Sequence, residues 1–222
     1  MSELIRVERE AGLLTLRLDR QDKKNALTRA MYSRMAEALL EAQADTAVRV
    51  VLITGGDACF TSGNDILDFL EQPPSLRDSP VGRFMSALLE FPKPVIAAVN
   101  GAAVGWGMEL ALYADIRIAS EKAKFAESFI KLGLTSAAGG AWFLTRAIGQ
   151  QRAAEMALTG ETIDAQRALE LGLILKVVPP EALMDEALAL AGRITCHPTH
   201  SIRLNTRLLR DSARLDLPAS LE

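Results

Sequence analysis

A glycine-rich turn near the middle of the chain carries the residues best suited to chemistry. Gly105 and Gly107 flank Trp106, and Glu109 follows in a segment whose composition predicts a short helix. Glycine accepts positive φ and lets another group approach the backbone closely. Amides in the first turn of a helix lack intrahelical acceptors, so they can stabilise an oxygen that gains negative charge. A carboxyl in apolar surroundings has a raised pKa, as an acid/base needs, so the turn predicts an enzyme site built on Glu109.

Two other interpretations apply to the same turn. It can be an ordinary glycine-rich connection from strand to helix, with a solvated Glu109. It can also be compared with a dinucleotide-binding turn, but GxGxxG counted from Gly105 requires glycine or alanine where Leu110 stands. The dinucleotide pattern therefore fails its own test.

Apolar strands must hold this turn in place. Residues 95–99 form a short apolar run, typical of a strand buried on both faces, and a second run leads up to Ile118. Residues 48–54 predict another buried strand, and a loop of small residues follows at 59–65, where ligands of α/β sheets often bind. Strands alternate with helices along most of the chain, so the pattern predicts the α/β class. It leaves open a doubly wound sheet or a superhelix.

Other elements follow from local patterns. Residues 4–10 and 13–18 alternate in polarity around Ala11-Gly12, which predicts a β-hairpin. Thr28 is a suitable N-cap for a helix that continues to about residue 44. Residues 125–130 are interpreted as one further short strand.

Composition limits the possible classes of function. The chain has 222 residues, enough for one domain with a sizeable core, and 49% of them are hydrophobic. A net charge of −3 without a basic stripe argues against nucleic acid as a partner. Apolar runs stay well below the roughly 20 residues of a membrane span, and the charged N-terminus is unlike a signal peptide. Two cysteines without metal spacing, and His197 and His200 without a third ligand, predict a cytoplasmic protein without a bound metal.

Five segments carry a resemblance to a known family: DKKNALT (22–28), VRVVLITGGDACFTSGND (48–65), KPVIAAVNGAAVGWGMELALYADIRIAS (93–120), KFAESFIKLGLTSAAGGAWFLTRAIG (124–149) and ALTGETIDAQRALELGLILKVVP (157–179). Through these segments nearly the whole chain resembles the crotonase, or enoyl-CoA hydratase/isomerase, family. The block at 93–120 and its spacing from the block at 48–65 make the resemblance specific.

The resemblance implies an α/β protein with the crotonase-like ββα superhelix, also called the ClpP/crotonase fold, followed by C-terminal helices. It implies a spiral core over residues 1–180 and an incomplete C-terminal helical segment over 181–222. Family members bind acyl-CoA thioesters and are usually trimers or dimers of trimers. Coenzyme A would then be part of the substrate, and no separate cofactor is expected.

By motif position, the resemblance also implies a site. The backbone amides of Ser62 and Trp106 would form an oxyanion hole for the thioester carbonyl, and Glu109 would be the acid/base. The other expected substrate-binding residues are Lys24, Asn25, Ala26, Gly63, Asp65, Ile66, Gly105 and Phe129.

The chain departs from the family where a second acid is expected. Phe129 occupies the position of the second glutamate of hydratases, and residues 136–138 provide no carboxylate either. Glu127 would share the strand face of Phe129, about 7 Å away along the strand. The nominal reaction is hydration of a 2-enoyl-CoA. A Δ3-Δ2-enoyl-CoA isomerase, which can operate with a single acid/base, and a non-catalytic acyl-CoA-binding subunit are the alternatives.

Overall fold

The computed structural model describes residues 4–56, 59–71 and 78–212. The strands are β1 (Ile5–Glu10), β2 (Leu13–Leu18), β3 (Val50–Thr54), β4 (Cys59–Thr61), β5 (Val95–Val99), β6 (Ala102–Val104), β7 (Ile116–Ser120), β8 (Lys124–Ala126), β9 (Thr162–Asp164) and β10 (Lys176–Val178). The helices are α1 (Arg29–Ala44), α2 (Ile66–Glu71), α3 (Pro80–Leu89), α4 (Trp106–Leu112), α5 (Gly140–Ile148), α6 (Gln150–Thr159), α7 (Ala165–Glu170), α8 (Leu183–Thr195) and α9 (Thr199–Ser212).

These strands form two sheets within the described residues. One sheet has the order β1-β2-β3-β5-β7-β10, and the other has the order β4-β6-β8-β9. Neighbouring strands are parallel except in the β1–β2 hairpin and the β8–β9 pair. The chain passes from the first sheet to the second three times, from β3 to β4, from β5 to β6 and from β7 to β8. Each passage adds one strand to both sheets, which produces the expected ββα superhelix.

The turns between the two sheets stack on one another through Asn100. Its side-chain oxygen accepts a hydrogen bond from the Gly55 amide at 3.1 Å, and its amide group donates to the Gly56 carbonyl. The Ser120 hydroxyl donates to the Asn100 carbonyl at 2.7 Å. Polar groups that are buried in these turns therefore have partners, and successive turns keep a constant register.

Strand β5 is apolar at every position because hydrophobic clusters cover both of its faces. Its odd-numbered residues contribute to a large hydrophobic cluster that also includes the buried faces of α1, α3 and α4. Ile96 and Ala98 point to the opposite face, where they pack in a second cluster with Leu183, Ala187 and Leu190 of α8. Both faces of the central strand are covered, so alternation in polarity is lost.

The helix α8 covers one face of the six-stranded sheet, although it lies beyond residue 180. The boundary expected at residue 180 stays a prediction, although the packing of α8 on the sheet joins the two segments in one core. Helical structure continues in α9 to Ser212, and residues 213–222 lie outside the described part of the chain.

Two local expectations need correction. The strand expected over 125–130 ends at Ala126, and Ser128–Leu132 is a 3-10 helix instead. Glu127 and Phe129 therefore do not lie on one strand face. The loop expected at 59–65 begins with the three residues of β4, which pair with β6.

No helix in the described ranges combines the length and the apolar character needed to cross a membrane. The cytoplasmic location stays a prediction from the sequence.

Candidate active site

The loop that precedes α1 is fixed to β4 by Asn25. This residue is fully buried and has a positive φ of 53°. Its side-chain amide donates to the carbonyls of Cys59 and Phe60 at 2.9 and 3.0 Å, and its own carbonyl accepts from the Thr61 hydroxyl at 2.7 Å. The Asn25 side chain is therefore used within the protein, which argues against its expected contact with CoA. Lys24 beside it is exposed.

Asp65 also has an internal role. One of its carboxylate oxygens pairs with Arg20 at 2.6 Å, and the other accepts from the amides of Leu67 and Asp68 at the start of α2. The hydrogen bond from Arg20 is the main reason why the pKa of Asp65 is lowered. Asp65 thus anchors the segment after β4 to the Arg20 loop, while Ile66 next to it is 63% exposed.

The amide expected to bind an oxyanion at Ser62 is already engaged. It donates to the Lys24 carbonyl at 3.0 Å. Asn64, two residues after Ser62, forms a parallel β-bridge with Leu27. In this bridge the Leu27 amide donates to the Gly63 carbonyl, and the Asp65 amide donates to the Leu27 carbonyl. The amide of Asn64 points away from that bridge and has no acceptor among the described residues.

Gly63 places this loop directly against the start of α4. Its φ is +97°, and a Cβ at this position would be 3.0 Å from the Val104 carbonyl oxygen and 3.4 Å from the Trp106 nitrogen. The Trp106 amide also has no acceptor among the described residues. Two unengaged amides, those of Asn64 and Trp106, therefore belong to segments that touch at Gly63. The sequence signal that was missed is that Asn64 directly follows this glycine.

The Trp106 side chain points into the core and not toward solvent. It is 4% exposed, and its ring lies 6.2 Å from that of Tyr32 and 6.3 Å from that of Tyr113, measured between centroids. Tyr113 in turn contacts Phe143 at 4.9 Å. The indole is thus one wall of an aromatic cluster beside the glycine turn.

Glu109 has a fully buried carboxyl, with none of its surface exposed. Its Oε1 atom accepts hydrogen bonds from the Ala137 amide at 3.1 Å and the Ser136 hydroxyl at 3.2 Å, while Oε2 has no partner among the described residues. Burial raises the pKa of Glu109 to about 8, the charge of Glu127 adds to the rise, and the two hydrogen bonds oppose it. Glu109 is therefore able to hold a proton near neutral pH.

The turn after β8 wraps around Gly105. The Gly105 amide donates to the Ala126 carbonyl at 2.8 Å. A Cβ on Gly105 would be 3.5 Å from the Ser128 hydroxyl and 3.7 Å from the ring of Phe129. Phe129 thus lies beside the glycine turn, as the sequence predicted, although a 3-10 helix carries it. Glu127, between Ala126 and Ser128, is 1% exposed, and burial raises its pKa to about 7.

Gly140 sets the position of the Glu109 carboxylate and offers a test of it. A Cβ at Gly140, in the first turn of α5, would overlap Oε1 of Glu109 and lie 2.8 Å from its Cδ. We expect Gly140→Ala to push the Glu109 carboxyl off its two hydrogen bonds, and so to lower the melting temperature and to lower kcat at least about tenfold. Gly192→Ala in α8, where a Cβ meets nothing within 4 Å, is the matched control. Equal kcat values for the two variants would show that the carboxylate position is unimportant.

Comparison with known proteins places these features in a family. A family model described as enoyl-CoA hydratase/isomerase matches residues 8–222. Two Escherichia coli proteins, a 1,2-epoxyphenylacetyl-CoA isomerase and a 2,3-dehydroadipyl-CoA hydratase, are each 38% identical to the chain; both alignments cover 100% of it and 87% of the relative.

Solved structures agree with this assignment. The structure of Pseudomonas aeruginosa OdaA is 61% identical, with a TM-score of 0.90, over 95% of this chain and 85% of that one. An enoyl-CoA hydratase from Bacillus anthracis is 32% identical, with a TM-score of 0.93, over 99% of this chain and 87% of that one. The superhelical fold, the glycine turn with its buried carboxyl and these matches lead to one conclusion: the chain belongs to the enoyl-CoA hydratase/isomerase family of acyl-CoA enzymes.

Proposed function

We propose that the protein forms and protonates the enolate of an enoyl-CoA thioester, with Glu109 as acid/base, and that its reaction is the hydration of a 2-enoyl-CoA. The observation that carries this proposal is the position of the buried Glu109 carboxyl, three residues after Trp106. The Trp106 amide itself lies beside Gly63. Addition of water at C3 of the thioester moves electrons onto the carbonyl oxygen. A proton must then reach C2, and a carboxyl with a raised pKa is suited to deliver it.

The oxyanion hole in this proposal consists of the Asn64 and Trp106 amides. Asn64 replaces Ser62 because the Ser62 amide already donates to Lys24 O. Backbone donors serve without requiring a particular side chain, which accounts for a tryptophan at the second position. Each donor of this kind is commonly worth about 3 kcal/mol of the barrier.

The expected substrate-binding residues that have no internal hydrogen-bonding role are the ones that we propose to contact the substrate. Lys24 offers a cation to the phosphates of CoA, and Ala26 and Ile66 border the same loop. Gly105 and Phe129 would contact the acyl part, since the ring of Phe129 lies against the glycine turn. In this proposal Asn25 and Asp65 support the loop rather than touch the substrate.

Isomerisation of a 3-enoyl-CoA is the second candidate. It is favoured by the absence of a carboxyl at Phe129, because one group can take a proton from C2 and return it to C4. Of the two equally similar E. coli relatives, one is named as a hydratase of 2,3-dehydroadipyl-CoA, and the other as an isomerase of an epoxide, 1,2-epoxyphenylacetyl-CoA, rather than of a 3-enoyl-CoA.

A turnover assay with both thioesters tests the proposal. We expect crotonyl-CoA to lose its enoyl-thioester absorbance with the purified protein, and 3-enoyl-CoA to be converted more slowly. Conversion of 3-enoyl-CoA alone would replace hydration by isomerisation. Binding of both thioesters without conversion of either would identify a non-catalytic acyl-CoA-binding subunit.

We further propose that the chain assembles as a trimer or a dimer of trimers. An apolar surface supports this: the 3-10 helix and the turn after it expose Ile130, Leu132 and Leu134, and α6, which packs beside them, exposes Leu158. Each of these side chains is at least 45% exposed. We expect light scattering at micromolar concentration to give a mass of three or six chains. A mass of 24.0 kDa, that of one chain, would contradict the assembly.

A further inference from the structure

The Glu127 carboxyl has no part in the proposed reaction of Glu109 and the two oxyanion amides, and its surroundings are unusual. It is 1% exposed, and neither of its carboxyl oxygens has a hydrogen-bond partner in the part of the chain that the structure describes. Burial of a carboxyl without partners is unfavourable, particularly in its charged form. A purely structural glutamate at such a position would be expected to have hydrogen-bond donors around it.

The backbone brings Glu127 to the same turn as the oxyanion amide. Strands β6 and β8 are parallel, with Val104 opposite Ala126, so the residues that follow these two strands are neighbours. The Gly105 amide donates to the Ala126 carbonyl, and the residues after Glu127 pack against Gly105. Glu127 also lies near enough to Glu109 for its charge to act on that carboxyl.

We propose that Glu127 is the second acid/base of this site, in place of the carboxyl that Phe129 and residues 136–138 lack, and that it activates the water that adds to C3. This inference rests on the proposed hydration of an enoyl-CoA. It assigns the two carboxyls different tasks: the Glu127 carboxylate takes a proton from water, and Glu109 gives a proton to C2.

The geometry around Glu109 agrees with that division. Its Oε1 atom accepts two hydrogen bonds, as the carbonyl oxygen of a neutral carboxyl does, whereas Oε2 is free to carry the proton that is delivered. Like charges that are close together in a buried site cannot both form easily, so the pair retains one proton over a range of pH.

The atoms and electrons of the step balance. The water oxygen forms a bond to C3 as its proton passes to Glu127, and the C2–C3 π electrons move toward the thioester carbonyl. The enolate then takes the proton of Glu109 at C2. Passage of a proton from Glu127 to Glu109 restores the starting state, so no oxidant or other reactant is required.

Three other groups around the pair can be assigned a charge state. Tyr32 of α1 and Tyr113 at the end of α4 have pKa values raised by burial and by the charge of Glu109, so both stay neutral. Ser136 is a neutral donor to Glu109. The pH dependence near neutrality therefore belongs to Glu109 and Glu127.

The test separates the two tasks by using two reactions. Hydration of crotonyl-CoA needs both carboxyls, whereas exchange of a C2 hydrogen of butyryl-CoA with D2O needs only Glu109 and the oxyanion hole. We expect Glu127→Gln to lower kcat for hydration about 100-fold and to keep the limiting exchange rate, at pH values above the Glu109 limb, within about threefold of the parent. We expect Glu109→Gln to lower both at least about 100-fold, and the double variant to hydrate no more slowly than Glu109→Gln alone, because the two groups act as a unit.

The pH dependence of exchange tests whether Glu127 is close enough to act together with Glu109, whereas the split between hydration and exchange is the readout that a purely structural role would not produce. The charge of Glu127 raises the pKa of Glu109, so its removal in Glu127→Gln should shift the Glu109 limb of the exchange profile to lower pH. Glu121→Gln, which changes an exposed glutamate near the start of β8, is the matched control and should alter neither rate nor profile. Glu127→Leu, which also removes the carboxyl and its charge, replaces Glu127→Gln in the same assays if the glutamine variant fails to fold.

The outcomes distinguish this inference from the proposed function. Unchanged hydration in Glu127→Gln, with Glu109→Gln inactive, would overturn the role of Glu127 whether or not the limb shifts, and would leave the proposed function in place. Equal losses of hydration and exchange in Glu127→Gln would reduce Glu127 to a structural residue. A parent protein that hydrates no enoyl-CoA would refute both proposals.

Discussion

Glu109→Gln is expected to lower kcat at least about 100-fold while CoA binding and the fold stay intact. Glutamine has the shape of a neutral glutamic acid, so its side-chain oxygen can still accept from the Ala137 amide and the Ser136 hydroxyl. It has no proton to exchange with C2, and this transfer is the step that the variant loses. Steady-state kinetics with crotonyl-CoA and calorimetric binding of a saturated acyl-CoA measure the two effects separately.

A second consequence of Glu109→Gln concerns stability. The pKa of Glu109 rises from 4.5 to about 8 on folding, so the folded chain holds a proton that the unfolded chain releases between these values. The free energy of unfolding of the parent should therefore fall as pH rises through this window. The variant cannot titrate at this position, so its decline should be shallower. A full rate together with the parent's pH dependence would exclude Glu109 from the mechanism.

The sequence predicts well those elements that are determined locally. Thr28 caps α1 as expected, with its hydroxyl accepting from the Met31 amide at 3.3 Å. The β1–β2 hairpin and the buried strand β5 are also confirmed. In each case the signal lies within a few residues: a capping side chain, a Gly-containing turn or an uninterrupted apolar run.

The second sheet could not be predicted from local patterns in the sequence. Strands β4, β6 and β9 have three residues each, too few to give a period, and they exist because neighbouring turns of the superhelix pair them. The 3-10 helix after β8 was missed for a related reason. Its apolar residues Phe129 and Ile130 resemble a continuing strand, but the turn around Gly105 ends the strand at Ala126.

The candidate site was predicted only in part because it depends on this pairing. Glu109 and Trp106 follow from one short segment. Whether the Ser62 or the Asn64 amide is available for an oxyanion depends on which of them donates to the Lys24 carbonyl. This contact forms only when the loop before α1 packs against the segment that follows β4. The proximity of Glu127 to Glu109 arises from the register of β6 with β8. Glu127 was considered in the sequence for its place on a strand face, and it lies in a turn instead.

Gly63→Ala is expected to lower kcat for enoyl-CoA about 100-fold or more, with a smaller effect on substrate binding. The φ of Gly63 is +97°, and its Cβ would press on the Val104 carbonyl and on the nitrogen of Trp106. The loop that carries Asn64 and the start of α4 must then move apart. Since each donor must lie at hydrogen-bond distance from the developing oxyanion, the loss of one costs about 10²–10³ in kcat.

Backbone strain alone must be separated from this effect, and Gly149 provides the control. Its φ is +78°, and a Cβ there meets nothing within 4 Å. Both alanine variants should be destabilised by about 1–3 kcal/mol, the usual cost of an unfavourable backbone conformation. Only Gly63→Ala should also lose kcat, measured at a temperature where both variants remain folded. If Gly149→Ala loses as much activity as Gly63→Ala, strain explains the loss, and the amides that meet at Gly63 are not the oxyanion hole.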